Sequence, residues 1–326
     1  MKSEILKLLK ESNGYLSGQQ LCERFQVSRT AVWKVMDQLK KEGYEIEAVP
    51  RKGYRLVESP DVLSAAELES LMDTQWAGKK VVFSKETDST NIQAKSGGEK
   101  GDPHGTLFVA ESQKEGRGRR GRGWESPAGE SIYMSLLLRP ELPPVKAPML
   151  TLVMALAVAR AIREQTGAEA LIKWPNDIVV GGKKLCGILT EMSTEMTYIN
   201  YLVIGVGINV NQNQFSEELK ERATSLKLEE GRAFQRSAII ASVLERFESY
   251  YEQFLKDGNL AGLQSSYNEL LVNRGRQVQI LEPKNHYEAH ASGINEAGEL
   301  VVAMEDGSVR NIFAGEVSVR GIYGYT

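Results

Sequence analysis

The hydrophobic pattern of the first 57 residues predicts three short helices followed by a β-hairpin. Ser17 and Gln20 have the spacing of a capping box at the start of the second helix. Ser28 is placed to begin the third helix, whose apolar spacing turns four residues inward: Val32, Val35, Met36 and Leu39. Residues 44–49 and 53–56 then bracket a basic tip. This order predicts a winged helix-turn-helix over residues 1–57.

The outward side of the third helix and the hairpin tip carry polar and basic residues suited to DNA. The candidates for DNA contact are Ser28, Arg29, Thr30, Trp33, Lys34, Arg51 and Lys52. Residues 1–57 hold 11 Lys and Arg against 7 Asp and Glu, a net charge of +4, whereas the remainder holds 29 against 36, a net of −7. A basic module on an acidic body favours nucleic-acid binding over the alternative, a small helical module for protein interaction.

The rest of the chain predicts a linker and two further domains in an α+β protein. Residues 58–66 have the proline and the polarity of a linker. Strands and helices alternate over 67–270, which predicts a central mixed α/β domain. Short strands separated by turns over 271–326 predict a small β-barrel. The apolar run 149–159 is too short to span a bilayer, so we expect a buried helix and no membrane association.

A run of alternating arginine and glycine, residues 116–124, lies near the middle of the chain. Glycine lets the backbone approach a ligand closely, and arginine offers a planar fork of donors to phosphate or carboxylate. The alternatives are an RGG-like nucleic-acid segment or a solvated basic loop. Apolar strands at 107–110 and 132–138 flank the run. It is therefore predicted to be a loop inside a folded domain, where an anionic ligand would order it.

Several familiar kinds of site are missing from the sequence. Gly181-Gly182-Lys183-Lys184 lacks the spacing and the hydroxyl of a P-loop, and no G-x-S-x-G nucleophile elbow occurs. Gly205-Val206-Gly207 lacks the third glycine of a dinucleotide fingerprint. The two cysteines, Cys22 and Cys186, have no metal-binding spacing and fit a reducing cytoplasm. We expect no resident metal site.

The residues that remain suit the joining of a carboxylate to the α-phosphate of ATP. That reaction needs two anions brought together and the growing charge neutralised, with no protein nucleophile. The four loop arginines could supply positive charge: Arg117, Arg119, Arg120 and Arg122. Lys184 follows on a predicted hairpin and adds a compact charge, although a solvated hairpin lysine is the alternative.

Four motifs together resemble the biotin–protein ligases. They are the Arg/Gly run closed by Trp124, Lys-Trp-Pro-Asn-Asp at 173–177, Lys-Leu-Cys-Gly-Ile-Leu at 184–189 and Gly-Val-Gly-Ile-Asn at 205–209. With the N-terminal module, the chain is similar over its whole length to bifunctional bacterial ligases that also repress biotin synthesis. The resemblance implies a class II synthetase/lipoate-ligase-like central sheet and a C-terminal SH3-like barrel.

The resemblance also implies ligands and site residues. It implies that biotin and MgATP form biotinyl-5′-AMP, which is both intermediate and corepressor of a ligand-promoted homodimer. Biotin then passes to a carboxyl carrier protein, as of acetyl-CoA carboxylase or pyruvate carboxylase, and the dimer binds operator DNA. The implied biotin residues are Ser89, Thr90, Asn91, Gln113, Arg117, Gly118, Arg119 and Lys184. The implied ATP or adenylate residues are Arg117, Arg119, Arg120, Arg122, Trp124, Asn176, Asp177, Lys184, Asn209 and Arg320. Lys184 and Arg119 are the implied catalytic residues.

One departure and two alternative functions stay open at this stage. Some relatives place a tryptophan after the Gly-Ile-Asn strand, but here only Phe215 is aromatic there. A lipoate-type ligase would share the domain plan, although this Arg/Gly run is not expected of it. A repressor whose central domain only senses a ligand is the alternative from another class.

Overall fold

A computed structural model describes residues 1–282, 286–313 and 318–321, without the side chains of residues 318 and 320. The N-terminal part has the predicted three helices and hairpin. Their bounds are α1 Lys2–Glu11, α2 Gly18–Phe25, α3 Arg29–Lys41, β1 Glu45–Val49 and β2 Gly53–Glu58. Both hydrogen bonds of the Ser17–Gln20 capping box form, and the Ser28 side chain caps α3. The inward residues of α3 pack with α1 into a core separate from the rest of the protein.

The central part is built on a seven-stranded mixed sheet. Its strands are β3 Val81–Ser84, β4 Leu107–Ala110, β5 Ser131–Leu138, β6 Leu171–Lys173, β7 Asp177–Val180, β8 Lys183–Thr194 and β9 Ile199–Asn209. They lie in the order β3-β4-β5-β9-β8-β7-β6, and only β3 and β4 pair in parallel. The long β8–β9 pair therefore forms the middle of the sheet.

Helices cover both faces of this sheet. They are α4 Ala65–Leu71, α5 Thr90–Glu99, α6 Ala147–Thr166, α7 Leu226–Glu230, α8 Arg236–Asp257 and α9 Ala261–Leu270. The sequence reasoning missed α7 and α9, which are short. Pro144–Thr166 is long and apolar enough to cross a membrane, so the expectation from run 149–159 is wrong on length. Most of that stretch is buried against α8 and the sheet, which is the environment of a core helix.

Three glycines leave part of one face of the β8–β9 pair without side chains. Gly187 pairs with Gly207, and Gly205 lies two residues away on the same face. Tyr133 and Ser135 of the neighbouring β5 pair with Gly207 and Gly205 and extend that face. Helix α5 packs on the same side of the sheet, against β4, β5 and β9. A hollow therefore remains beside the start of α5.

The C-terminal part is a five-stranded antiparallel sheet, in keeping with the predicted barrel. Its strands are β10 Arg276–Leu281, β11 His286–Ile294, β12 Leu300–Ala303, β13 Val309–Ile312 and β14 Ser318–Gly321, in the order β13-β12-β11-β10-β14. It shares one continuous hydrophobic core with the central part. Trp174 is buried at the junction and donates its Nε1–H to the Gly298 carbonyl at 3.1 Å.

The segment predicted to be a linker packs against the central part. Asp61 accepts hydrogen bonds from the Nε–H of Arg236 at 2.9 Å and from Asn211 at 3.0 Å. The Arg236 side chain is 2% exposed and also donates to Glu111 at 2.8 Å. A buried guanidinium shared by two carboxylates has a satisfied charge. The chain is thus fixed to the central part before α4 begins.

Glu67 on α4 joins the N-terminal module to the central part. Its buried carboxylate accepts hydrogen bonds from Lys10 at 2.6 Å, from the Tyr44 hydroxyl, and from Ser237 of α8 at 3.1 Å. Burial lowers the pKa of Lys10, and the Glu67 carboxylate opposes that shift. Three elements that are distant in sequence therefore converge on one buried carboxylate.

Replacing Lys10 by methionine should leave the Glu67 charge buried with one donor fewer. Because such a loss costs about 1–3 kcal/mol, we expect Lys10→Met to lower the free energy of unfolding by that amount in urea titrations. Lys7→Met is the matched control, since the Lys7 side chain is 41% exposed and its Nζ lies 3.9 Å from Glu11 Oε1. Equal stability of the two variants would contradict the role given to Lys10.

Candidate functional site

Two adjoining cavities lie over the glycine-lined face of β8 and β9. The inner cavity, of about 50 Å³, is lined by every residue predicted for biotin: Ser89, Thr90, Asn91, Gln113, Arg117, Gly118, Arg119 and Lys184. The outer cavity, of about 560 Å³, is lined by most residues predicted for the nucleotide: Arg119, Arg120, Arg122, Trp124, Asn176, Asp177, Lys184 and Asn209. Arg119, Trp124, Asn176 and Lys184 line both. The fold therefore brings together residues about 120 positions apart in the sequence.

Hydrogen bonds fix the polar end of the inner cavity. Ser89 precedes α5, which places Thr90 and Asn91 in the first turn of that helix. The Gln113 Oε1 accepts the Thr90 backbone N–H at 2.9 Å, and the Gln113 Nε2 donates to Ser126 Oγ at 2.9 Å. Thr90, Asn91 and Ser135 are almost fully buried. This end of the cavity is therefore an ordered set of donors and acceptors.

Asp88 holds the loop that leads into α5. It accepts hydrogen bonds from the Ser89 backbone N–H at 2.6 Å, from Thr87 at 2.9 Å and from Gln93 at 2.9 Å. Burial tends to raise the pKa of Asp88, but these hydrogen bonds outweigh it and the pKa is lowered. The loop is thus fixed by a carboxylate that stays ionised.

The indole of Trp124 lies on the glycine face of the inner cavity. A Cβ added at Gly207 would lie 2.7 Å from Trp124 Cε2, and one at Gly187 would lie 3.0 Å from Cζ3. A water needs roughly 10–15 Å³ of cavity volume, so the remaining space holds only a few waters. A bicyclic ligand would require the indole to move. The buried Trp124 Nε1 has no hydrogen-bond partner in the described part of the protein.

Positive charge is concentrated where the two cavities meet. Lys184 Nζ lies 2.6 Å from Asp177 Oδ1 and 5.5 Å from the centre of the Trp124 ring. The Arg119 Nη1 donates to Asn176 Oδ1 at 2.7 Å. Burial lowers the pKa of Arg119, although a guanidinium remains charged in proteins. Two cations therefore face the junction, each held by a neighbour from the 173–177 motif.

The other loop arginines have different positions. Arg117 lines only the inner cavity and lies 3.7 Å from Glu115. Arg120 and Arg122 line only the outer cavity. Arg120 has φ 58°, a left-handed conformation that is uncommon for a residue with a Cβ. The loop thus turns sharply at Arg120, which separates the arginines into two groups.

Asn209 and Arg320 are the other two residues predicted for the nucleotide. The Asn209 side chain is buried and donates to the Thr224 carbonyl at 3.0 Å, so here it fixes the 223–225 segment beside the outer cavity. Arg320 belongs to β14, and its side chain lies outside the described residues.

Sequence reasoning missed several residues that line these cavities. Tyr133 and the glycines of β8 and β9 line the inner one, and Leu219 and Arg222 line the outer one. Phe215, the aromatic candidate for the adenine side, lines the outer cavity. The paired glycines at 187 and 207 were a usable signal, because glycine inside a strand often marks the close approach of a ligand. Leu219 and Arg222 gave no such signal.

Within residues 1–282, 286–313 and 318–321, no group of three or more His, Cys, Asp or Glu side chains is placed to hold a metal ion. Asp177, Glu125 and Glu221 line the outer cavity.

The candidates for DNA contact form one exposed surface on the N-terminal module. Ser28, Arg29, Thr30, Trp33, Lys34, Arg51 and Lys52 are all exposed. Arg29 donates to Gln19 at 3.0 Å, and Lys52 Nζ lies 5.7 Å from the centre of the Tyr15 ring. Trp33 is 58% exposed, which is unusual for so large an apolar side chain. The start of α3 and the hairpin tip thus present donors and one aromatic ring to solvent.

A side chain at position 207 should displace Trp124. Because the new Cβ would overlap the indole, we expect Gly207→Ala to shift Trp124 emission to longer wavelengths and to cost about 1–3 kcal/mol of stability. Because the chain has four tryptophans, the emission of Trp124 is obtained by subtracting the spectrum of the corresponding variant that also carries Trp124→Phe. Gly123→Ala is the control, since a Cβ at Gly123 meets nothing within 4 Å. Unchanged emission in Gly207→Ala would mean that the indole does not rest on the glycine face.

Comparisons with known proteins bear on both parts of the chain. The model of the biotin/lipoate A/B protein ligase family matches residues 83–209, and that of an HTH domain matches residues 2–55. The bifunctional ligase/repressor BirA of Bacillus subtilis is 37% identical over 98% of this chain and 98% of its own length. The protein of that name from Escherichia coli is 31% identical over 95% of this chain and 94% of its own.

A solved structure supports the same assignment. The biotin protein ligase from Aquifex aeolicus in complex with biotin and ATP is 32% identical, with a TM-score of 0.66. The match covers 74% of this chain and 99% of that one. Sequence identity over nearly the full length, an HTH domain and the ligase fold agree: the chain belongs to the family of the bifunctional ligase/repressor BirA.

Proposed function

We propose that this protein is an ATP-dependent biotin–protein ligase that also represses transcription in response to biotin. The observation that carries the ligase function is the convergence of the predicted biotin residues on one cavity that opens into the nucleotide cavity. The similar structure from Aquifex aeolicus contains biotin and ATP. A lipoate-type ligase is less favoured, because the relatives described above are named for biotin or as ligase/repressors.

In the proposed first step a carboxylate oxygen of biotin attacks the α-phosphorus of ATP. The new O–P bond gives biotinyl-5′-AMP, and pyrophosphate leaves with the bridging oxygen. Lys184 and Arg119 lie at the junction of the cavities, where that charge would develop. Fixed cations at this place stabilise the transition state without reorganisation. Mg²⁺ would enter as part of MgATP and would neutralise phosphate charge, and Asp177, which lines the outer cavity, is the carboxylate of the 173–177 motif that could hold it.

In the second step a lysine amine of a carboxyl carrier protein attacks the acyl carbon. The amine loses a proton, an amide bond forms and AMP leaves with the phosphate oxygen. Carriers of acetyl-CoA carboxylase and pyruvate carboxylase are the proposed partners, and the cytoplasm is the proposed location.

The wild-type protein should release pyrophosphate only when biotin and ATP are both present. A protein that binds biotin but releases none would be a ligand sensor instead.

Lys184→Ala tests the catalytic assignment. Loss of one cation that acts on the developing charge should slow adenylate formation by a factor of about 10²–10³. Biotin affinity should fall less, because the polar end of the inner cavity is unchanged. Lys183→Ala is the matched control, since Lys183 is its neighbour and lines neither cavity. If the single-turnover rate of Lys184→Ala is within about two-fold of the wild type, Lys184 is a solvated hairpin lysine without a catalytic role.

The repressor function rests on the N-terminal module and on ligand-dependent dimerisation. One winged helix offers few residues to base edges, so a monomer should bind DNA mainly through phosphates, weakly and with strong salt dependence. Two copies on a two-fold operator provide more contacts. Biotinyl-5′-AMP acts as corepressor by ordering the 116–124 loop, which favours the homodimer.

Biotin plus ATP should therefore raise affinity for a biotin-operon promoter fragment, and biotin alone should raise it less. Titrations at one salt concentration, with sedimentation to follow the dimer, measure both effects. Lys34→Ala should weaken binding, whereas Lys41→Ala, on the last turn of α3 and paired with Asp37 at 2.7 Å, serves as control. Equal operator affinity with and without the adenylate would show that the two parts act independently.

A further inference from the structure

Glu191 has no place in the function described so far, although it touches the inner cavity's polar end. It lies on β8, on the same face as Gly187 and four residues further along the strand. Its Oε2 accepts a hydrogen bond from Asn91 Nδ2 at 2.8 Å, and its Oε1 accepts one from Lys95 at 3.0 Å. The simplest explanation is a structural link between α5 and β8. The contacts beyond Asn91 point to more than that.

A carboxylate can only accept hydrogen bonds, so Glu191 fixes which end of the Asn91 amide faces it. The Nδ2 donates to Glu191 and, at a longer 3.4 Å, to the Leu189 carbonyl, and the Oδ1 accepts from Ser135 Oγ at 2.6 Å. Close packing limits the room around the amide, because a Cβ on Gly205 would lie 2.0 Å from Asn91 Oδ1. The amide therefore has one orientation, with its oxygen toward the cavity wall.

The orientation of Asn91 determines the directions of the hydrogen bonds made by the Ser135 and Thr90 hydroxyls. A hydroxyl has a single proton, and the Asn91 Oδ1 can only accept, so Ser135 donates to Asn91. The lone pairs of Ser135 then face Thr90 Oγ1 at 2.8 Å. The Thr90 hydroxyl has one proton and two possible acceptors, Ser135 Oγ at 2.8 Å and Gln113 Oε1 at 3.2 Å. Because the Ser135 proton is on Asn91, the shorter contact takes the Thr90 proton, and the Thr90 hydroxyl keeps a lone pair for a ligand N–H.

We propose that Glu191 is the positioning residue that sets the order of donors and acceptors by which this pocket recognises a cyclic urea. It acts through Asn91, Ser135 and Thr90 and touches no reacting atom. The inference rests on the proposed function, since it assigns biotin to the inner cavity. Ser135 is 0% and Thr90 is 5% exposed, so water cannot restore a hydrogen-bond order that is lost.

The charges around Glu191 are consistent with a carboxylate that stays ionised. Burial tends to raise the pKa of Glu191. Hydrogen bonds from Asn91 and Lys95 and the positive charges of Lys95 and Arg117 lower the pKa by more than burial raises it, so the net shift is downward. Lys95 and Glu191 are 39% and 28% exposed, so solvent screens their ion pair. The directional bond to Asn91 is therefore the part of Glu191 that matters to the ligand.

Glu191→Gln tests the proposal, because glutamine has the same shape but can donate as well as accept. The long 3.4 Å hydrogen bond to the Leu189 carbonyl then remains as the preference for the present orientation of Asn91, so the reversed orientation becomes accessible. We expect the Kd for biotin, measured by calorimetry, and the KM for biotin to rise about ten-fold, the size expected for loss of a bond to a charged group. The KM for ATP and kcat at saturating biotin should stay within about two-fold. Thermal unfolding verifies that the variant is folded.

Two further variants separate orientation from charge. Lys95→Met removes the ion pair but leaves the Asn91–Glu191 bond, so biotin affinity should stay within about two-fold of the wild type. The double variant Asn91→Asp, Glu191→Gln exchanges donor and acceptor between the two positions. The carboxylate at position 91 accepts from Ser135, and the amide nitrogen at position 191 donates to that carboxylate, so the double variant should recover most of the affinity for biotin. Unchanged biotin affinity in Glu191→Gln, an equal loss in Lys95→Met, or no recovery in the double variant would overturn the proposal. Wild-type protein that binds no biotin would instead refute the proposed function.

Discussion

The absence of three side chains on one face of the β8–β9 pair is the constraint on which the site depends. Gly187 and Gly207 face each other across the two strands, and Gly205 continues the same face. Any Cβ at 207 would overlap Trp124, and any at 205 would overlap Asn91. The strands pay for this hollow with the conformational entropy of glycine, roughly 0.5–1 kcal/mol at each position relative to alanine. The apolar opposite face, packed on α6, offsets that cost.

The charges over the hollow are already paired before any anion arrives. Lys184 is held by Asp177, and Arg119 is held by Asn176, which itself donates to Asp177 at 3.2 Å. A buried cation without a partner would destabilise the fold, so these neighbours keep the cations in place at low cost. A phosphate or carboxylate that enters the junction would compete with Asp177 for Lys184. The site is thus stable when empty and still able to bind anions, which a loop with unpaired arginines would not be.

The sequence predicted most of the fold and many of the residues that line the two cavities, but not how these residues are linked. Caps at Ser17 and Ser28 and the alternation of strands are local signals, and the structure has the elements they predict. The motif residues 89–91, 113 and 184 were recognised through their resemblance to a family. Glu191 and Arg222 were not, because their importance comes from contacts with residues about 100 and about 40 positions away, and no local pattern encodes such contacts. The contacts of Asp61 with Arg236 and Asn211 were missed for the same reason.

That missed contact changes how the two functions can be connected. Arg236 bonds Asp61 of the linker, Glu111 next to the inner cavity's Gln113, and the Ser131 carbonyl, whose residue pairs with Asn209. Glu111 in turn accepts the Gly129 N–H, just beyond the loop that carries Trp124. A truncation after residue 57 keeps Asp61 but removes Lys10 and Tyr44, and with them two donors to Glu67 and the packing of α1 on α4. The N-terminal module is therefore separable in topology but not in energy. Any ligand that shifts the loop near Gly129 acts on the same buried cation that holds the linker, and linkage makes such an effect reciprocal.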